Sequence, residues 1–281
     1  MKFGLTMFPA DHAMAPHEFA KAAEERGFDA IAFPEHTHIP VSRKTPFPGG
    51  GELPEYYKRT HDPFIALTAA AMVTERIELW TGISLLAQRD PIVTAKVIAS
   101  LDVLSGGRAV LGIGYGWNQD ELENHGVAFK DRRAFVRESA LAMRELWTKE
   151  EASFEGEHVS FGPVWSWPKP AQAGGPPIVL GAAPGPRTFA HLAEFCDGWM
   201  PIAGMGSMTE SLESLKQALA DRGRSMDDFR LTVFGGRPDP ERIEYQRSQG
   251  VDQIFFWVPC DSPGDAMQAL DGYAKFLEQI R

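Results

Sequence analysis

Several short stretches of this chain combine residue types that can do chemistry. In Glu35-His36-Thr37-His38 a carboxylate stands beside an imidazole, and two histidines are spaced His-x-His. Histidine titrates near neutrality, so His36 suits proton transfer or hydrogen bonding beside a redox cofactor, with Glu35 next to it. His-x-His can also open a metal site, which then needs further histidines and a closing aspartate such as Asp261. The remaining histidines (12, 17, 61, 125, 158 and 191) fall on expected helices or loops, so no metal is expected. A solvated loop histidine is the plain alternative.

In Val110-Leu-Gly-Ile-Gly-Tyr-Gly-Trp-Asn-Gln-Asp-Glu121 an apolar run stops at Gly112, Gly114 and Gly116, and a polar helix start follows. Glycine at every second position strips one face of a strand, so a flat ligand can lie there or another backbone can approach. A bulged strand entering a tight turn reads the same way. The spacing is not the dinucleotide fingerprint, because Trp117 stands where its third glycine would follow. Asn118 and Glu121 have the form of a capping box, with a catalytic role for Glu121 as the other reading. Gly181-Ala-Ala-Pro-Gly185 leads into a helix whose amides and dipole suit a phosphate, or it is an ordinary turn. Arg187 follows one turn later.

These residues need a scaffold, and the hydrophobic pattern supplies one. Strands are expected at 3–7, 30–34, 77–83, 109–113, 178–181, 198–201, 230–234 and 253–258. Helices are expected at 16–26, 63–74, 91–104, 132–149, 186–195, 208–222, 240–249 and 263–280. Strict alternation of strand and helix is the pattern of a parallel α/β (β/α)8 TIM barrel, with an open doubly wound sheet as the alternative. Glu25-Arg-Gly-Phe-Asp-Ala-Ile-Ala-Phe33 and Ser248-Gln-Gly-Val-Asp-Gln-Ile-Phe-Phe256 share Gly, Asp, Ile and Phe at matching offsets, which suits a closed barrel. Two insertions break the alternation. Residues 37–62, after strand two, are rich in Pro and Gly and carry Arg43, Lys44, Lys58 and Arg59. Residues 152–177, before strand five, hold a hairpin and the strip Pro163-Val-Trp-Ser-Trp-Pro-Lys-Pro170. Neither reads as a separate domain, so 1–281 is expected to be a single domain.

Composition narrows the partners. The chain has 281 residues, 43% hydrophobic and 23% charged, enough to bury a large aromatic core. A net charge of −10 argues against nucleic acid or an anionic membrane but not against an anionic small ligand, and Arg43, Lys44 and Arg89 are expected near the rim to receive the anionic tail of a cofactor. No apolar run reaches the roughly 18–20 residues that span a membrane. The segment Lys2 to Phe8 reads as a strand rather than a leader. Cys196 and Cys260 stand in no metal or redox spacing, and a cytoplasmic location is expected. Trp165, Trp167, Met205 and Phe255 suggest a bulky apolar substrate, or simply core.

Taken together these motifs resemble the luciferase-like flavin monooxygenase and deazaflavin-dependent oxidoreductase superfamily. The similarity runs from Phe3 to Phe256 through Ala23–Asp29, Pro34-Glu-His36, Leu79–Ile83, Arg89-Asp-Pro91 and Asp102–Arg108. It continues through the glycine turn, Pro168-Lys-Pro170, Pro177–Ala182 and Asp197–Pro201. The resemblance implies an isoalloxazine or deazaflavin ring at the top of the barrel. Glu35 and His36 match a ring-adjacent acid and histidine, with His36 catalytic. Gly82-Ile83 matches a non-proline cis peptide behind the ring; Gly112, Gly114, Gly116 and Trp117 match the turn flanking it. Gly181, Ala182 and Ala183 match the phosphate loop, where the family often has Gly-Gly. In the sugar-phosphate branch an acid follows the glycine turn as proton donor; here it is Trp117, which disfavours sugar-phosphate oxidation. The resemblance thus points to an oxidoreductase using coenzyme F420, with FMN and oxygen in a monooxygenase as the alternative. A small organic substrate and a homodimer are expected with it. A non-catalytic binding barrel is the reading from another class.

Overall fold

The computed structural model describes residues 1–204 and 207–280, so Met205 lies outside the described residues. In chain order the strands are β1 (Lys2–Thr6), β2 (Ala30–Phe33), β3 (Glu78–Thr81), β4 (Ala109–Ile113) and β5 (Ala152–Glu155). Then come β6 (Ser160–Val164), β7 (Ile178–Leu180), β8 (Gly198–Trp199), β9 (Arg230–Gly236) and β10 (Gln253–Trp257). The helices are α1 (Pro16–Glu25), α2 (Pro63–Ala71), α3 (Pro91–Leu104), α4 (Gln119–Asn124) and α5 (Arg132–Thr148). They continue with α6 (Pro186–Phe195), α7 (Met208–Ala220), α8 (Pro240–Ser248) and α9 (Pro263–Ile280). Eight of the strands close into a parallel barrel in the order β1-β10-β9-β8-β7-β4-β3-β2. The expected TIM barrel is therefore correct, and the open sheet is excluded.

The local causes are visible in the sequence. Helices α1, α2, α3, α6 and α8 start on proline, whose missing amide costs nothing at a first turn. Asp62, Asp90 and Asp239 accept the first free amides of α2, α3 and α8 through their side chains. The repeated unit has a common device at its strand base. Asp29 accepts the amide of Phe3, and Asp252 accepts that of Leu231, each at 2.8 Å. Asp197 does the same for Ile178 at 2.7 Å, so each carboxylate ties a strand to its neighbour.

Small residues match large ones inside the barrel. Ala30, Ala32, Trp80, Val110, Val179, Met200, Phe234 and Phe255 fill the lumen. Trp80 and Phe255 meet edge to face with centroids 5.3 Å apart, and a Cβ on Gly4 would strike the Phe255 ring. Phe255 is thus barrel core. A filled lumen leaves the strand ends as the place for a ligand.

The insertions are where the pattern placed them. β5 and β6 form the antiparallel hairpin outside the barrel. Trp165 and Trp167 that follow it are mostly exposed, and the Trp167 carbonyl accepts from Lys96 on α3. That strip lies against the barrel flank rather than over the strand ends. Residues 37–62 form the long excursion after β2, with one 3-10 turn at Glu55–Lys58. Helix α4 is an extra element that the alternation did not predict. It is too short for a periodic signal, and only the polar run Gln119–Asn124 marks it.

Candidate active site

The acid that meets His36 is not the one beside it in sequence. Glu35 and His36 follow β2 in succession, and successive side chains on extended backbone point to opposite sides. Glu35 is buried and turns toward the segment after β3. Its carboxylate accepts from Ser84 Oγ at 2.8 Å, the Leu85 amide at 2.7 Å and Arg89 Nε at 2.6 Å. Arg89 also pairs with Asp62 at the start of α2, and its guanidinium stacks 4.6 Å from the Phe64 ring. This network fastens the turn after β3 to β2 and to the end of the long insertion. Arg89 is therefore committed inside the protein and is not free to receive a cofactor tail.

His36 takes its carboxylate from Glu121. Nδ1 lies 2.9 Å from Glu121 Oε2, and the two side chains are 6% and 0% exposed. Asn118 starts α4 without capping it through its side chain, so the capping box of the sequence does not form. Glu121 reaches across to the histidine instead. A carboxylate only accepts, so Nδ1 is the donor in this contact and Nε2 lies on the other edge of the ring. Among the described residues, Nε2 has no partner.

Three rings wall the histidine. Tyr57 lies 5.1 Å and Trp117 5.9 Å from the His36 ring between centroids. Phe47 closes the group against Tyr57 at 5.3 Å and Trp117 at 6.2 Å. Burial pushes the Tyr57 phenol up to about 12, so it stays protonated through neutral pH. Arg43 lies over Trp117, its Cζ 5.9 Å from the ring centroid. The long insertion is held in place by Asp120, which accepts from Ser42 Oγ at 2.7 Å and the Lys44 amide at 3.2 Å.

The glycines make room chiefly for the protein itself. The Gly82–Ile83 peptide is cis. A Cβ on Gly114 would overlap Ile83 Cδ1, and one on Gly181 would sit 2.8 Å from Ile83 Cγ2. One on Gly112 would overlap the Thr81 carbonyl, while Gly116 has φ of 78° and packs on Leu122. Ile83, Gly114 and Gly181 therefore converge from three loops around one side chain at the barrel mouth. Gly112 serves the close backbone approach instead. Ala182 is half-buried, with its carbonyl accepting from Trp199 Nε1 at 2.9 Å, and Ala183 is exposed. After Gly185, where a Cβ would meet nothing, the first turn of α6 opens without a side-chain cap.

Among the described residues no group of three or more His, Cys, Asp or Glu could hold a metal. His38 is instead half of a polar pair, with Thr37 Oγ1 2.9 Å from its Nδ1 and 3.0 Å from His125 Nε2. Likewise, no helix among the described residues is long and apolar enough to cross a membrane. The pattern of residue types did not reveal Tyr57 or Phe47, which sit in a loop without periodicity; Arg43 is marked there only by its charge. The spacing of Asn118 and Glu121 was a signal, but for a different role.

This arrangement can be set beside known proteins. A model of the family described as luciferase-like monooxygenase matches residues 9–237. The chain belongs to that family. An uncharacterised protein of Mycobacterium tuberculosis is 41% identical over 281 residues, covering 99% of both chains. An F420-dependent glucose-6-phosphate dehydrogenase of Intrasporangium calvum is 28% identical, covering 84% of this chain and 68% of its own. The monooxygenase RslO1 of Streptomyces bottropensis has the same fold, with a TM-score of 0.80 at 23% identity and 99% coverage of both chains. The relatives of known activity include F420-dependent oxidoreductases and monooxygenases, and this member of the luciferase-like family is an oxidoreductase.

Proposed function

We propose that this protein binds coenzyme F420 at the barrel mouth and works on a small organic substrate there. The observation that carries the reading is His36, held through Nδ1 by a fully buried carboxylate, with Nε2 unpartnered among the described residues. The residues present fit a flat ring with a phosphate-bearing tail. Ile83 and the surrounding glycines make a smooth apolar floor, and the small residues Gly181, Ala182 and Ala183 precede the open first turn of α6. Gly82, Ile83, Gly114 and Trp117 would hold the ring with His36 beside it, Gly112 and Gly116 would shape the turn behind them, and Glu35 would brace the site through Ser84 and Leu85. When bound, the deazaflavin supplies hydride transfer, and the protein supplies orientation and proton handling.

His36 Nε2 is the group that accepts or returns a proton, and Glu121 compensates the charge the ring then carries. Tyr57, Trp117 and Phe47 exclude water around it. Trp117 has no ionisable group, so no acid stands at the position that serves the sugar-phosphate branch. The substrate of the Intrasporangium relative is accordingly not assigned to this chain.

FMN with oxygen is the second reading, favoured by the fold shared with a monooxygenase. Titration of the purified protein with F420 and with FMN, followed by tryptophan fluorescence, separates the two. Quenching by F420 at micromolar concentration with little response to FMN is expected; micromolar binding of FMN alone would reverse the assignment.

A homodimer belongs to the same proposal. Helix α2 is apolar on both faces with Ile65 exposed, Met72 is exposed just past its end, and α3 exposes Val93, Val103 and Leu104. A helix apolar all round is normally buried on all sides. Light scattering at micromolar concentration should give about twice the chain mass of 31.0 kDa. Ile65→Asp with Val93→Asp should return the monomer mass, whereas a wild-type monomer would remove this part of the proposal.

A further inference from the structure

The aromatic wall around His36 ends in an arginine with nothing to bind. Arg43 forms no ion pair or side-chain hydrogen bond among the described residues, and its Nη1 is buried without a partner. Its neighbours Ser42 and Lys44 take Asp120, while Lys58 pairs with Glu55 at 2.8 Å. Asn118, next to Trp117, has a second buried donor without an acceptor, Nδ2. A buried donor left unpaired costs about 1–3 kcal/mol, and more when charged. Both orphaned atoms are donors, one on the side chain over Trp117 and one on the residue that follows Trp117, and the one on Arg43 lacks an acceptor. Arg43 also holds a φ of 46°, a region that favours glycine and is kept where a side chain is needed.

Space for a ligand adjoins it. A hollow of about 490 Å³ within the long insertion is lined by Arg43, Phe47, Val41 and Leu53, and also by Glu52 and by Glu55, whose charge Lys58 takes. That volume suits a small organic molecule. Two of its lining residues, Arg43 and Phe47, also belong to the aromatic group on Trp117. In the barrel order β2 and β7 lie on opposite sides of β3 and β4. Arg43 follows β2, and the candidate phosphate loop at Gly181 follows β7. The arginine is thus on the side of Trp117 away from the place proposed for the cofactor tail.

We infer that Arg43 recognises an organic carboxylate whose apolar body rests in this hollow, which makes the substrate class of the site an apolar organic acid. The inference rests on the proposed oxidoreductase site but concerns its substrate end alone. The planar guanidinium matches a carboxylate in two parallel hydrogen bonds, and the rings of Phe47 and Trp117 accept a flat apolar body.

The test compares 2-naphthoate with 2-naphthamide by calorimetry, on wild type, Arg43→Gln and Arg43→Lys, with an F420 titration run separately on each. Wild type is expected to bind the acid at least about tenfold tighter than the amide. Arg43→Gln should abolish that preference and Arg43→Lys should keep part of it, with F420 affinity unchanged in both. Equal binding of acid and amide by wild type, or a preference that survives Arg43→Gln, would overturn the inference. So would loss of F420 affinity in Arg43→Gln, which would give the arginine to the cofactor tail. Absence of F420 binding by wild type would instead count against the cofactor reading, whatever the acid and amide do.

Discussion

His36→Ala is expected to lower turnover by about 10²- to 10⁴-fold, the span covered by a positioned general acid–base group. Affinity for F420 should stay within about threefold, less than 1 kcal/mol. The ring makes no hydrogen bond that the fold depends on except the one to Glu121, and Nε2 has no partner among the described residues. Removing it therefore takes away proton handling while the floor of Ile83 and the glycines stays in place. Glu121→Gln should reduce turnover less than His36→Ala, because the side chain keeps its shape and loses its charge. Loss of F420 absorbance during turnover, against an independent binding titration, separates the two quantities. Turnover equal to wild type in both variants would return His36 to a structural role.

Glu35→Ala is expected to lose stability rather than chemistry. The carboxylate is buried and satisfies a hydroxyl, a backbone amide and a guanidinium at once. Its removal leaves Arg89 with only half-exposed Asp62 and strands the Leu85 amide. Breaking a buried ion pair by deleting one partner costs about 3–5 kcal/mol. For a chain of this size that corresponds to a fall in melting temperature of roughly 10 °C. Glu35→Gln should fall between wild type and Glu35→Ala, since it keeps a hydrogen-bond acceptor. Thermal unfolding followed by circular dichroism measures this; a melting temperature unchanged in Glu35→Ala would mean that the network does not brace the site.

The difference between these acids shows how far residue types in a row can be read. The neighbour of His36 in sequence is Glu35, and adjacency suggested a working pair. Alternation along extended backbone sends the two to opposite sides, and the partner comes from 85 residues away. The Asn118 and Glu121 spacing fitted a capping box equally well. Nothing local distinguishes a glutamate that caps its own helix from one that reaches a histidine on another loop. The glycine turn is a similar case. Its spacing said that something approaches the backbone closely, and the structure gives that space mainly to Thr81 and Ile83.

The sequence by itself determined the alternation of strands and helices, the capped and proline-started helix ends, and the place of both insertions. These follow from hydrophobic period and turn chemistry, which act over a few residues. It also put His36 and the glycine turn at strand ends, because a parallel barrel gathers all such ends on one face. Only the tertiary structure decided which acid meets the histidine, which glycines face protein, and that Tyr57, Phe47 and Arg43 close over Trp117. Those pairings depend on where barrel closure brings distant loops, a geometry that no local pattern encodes.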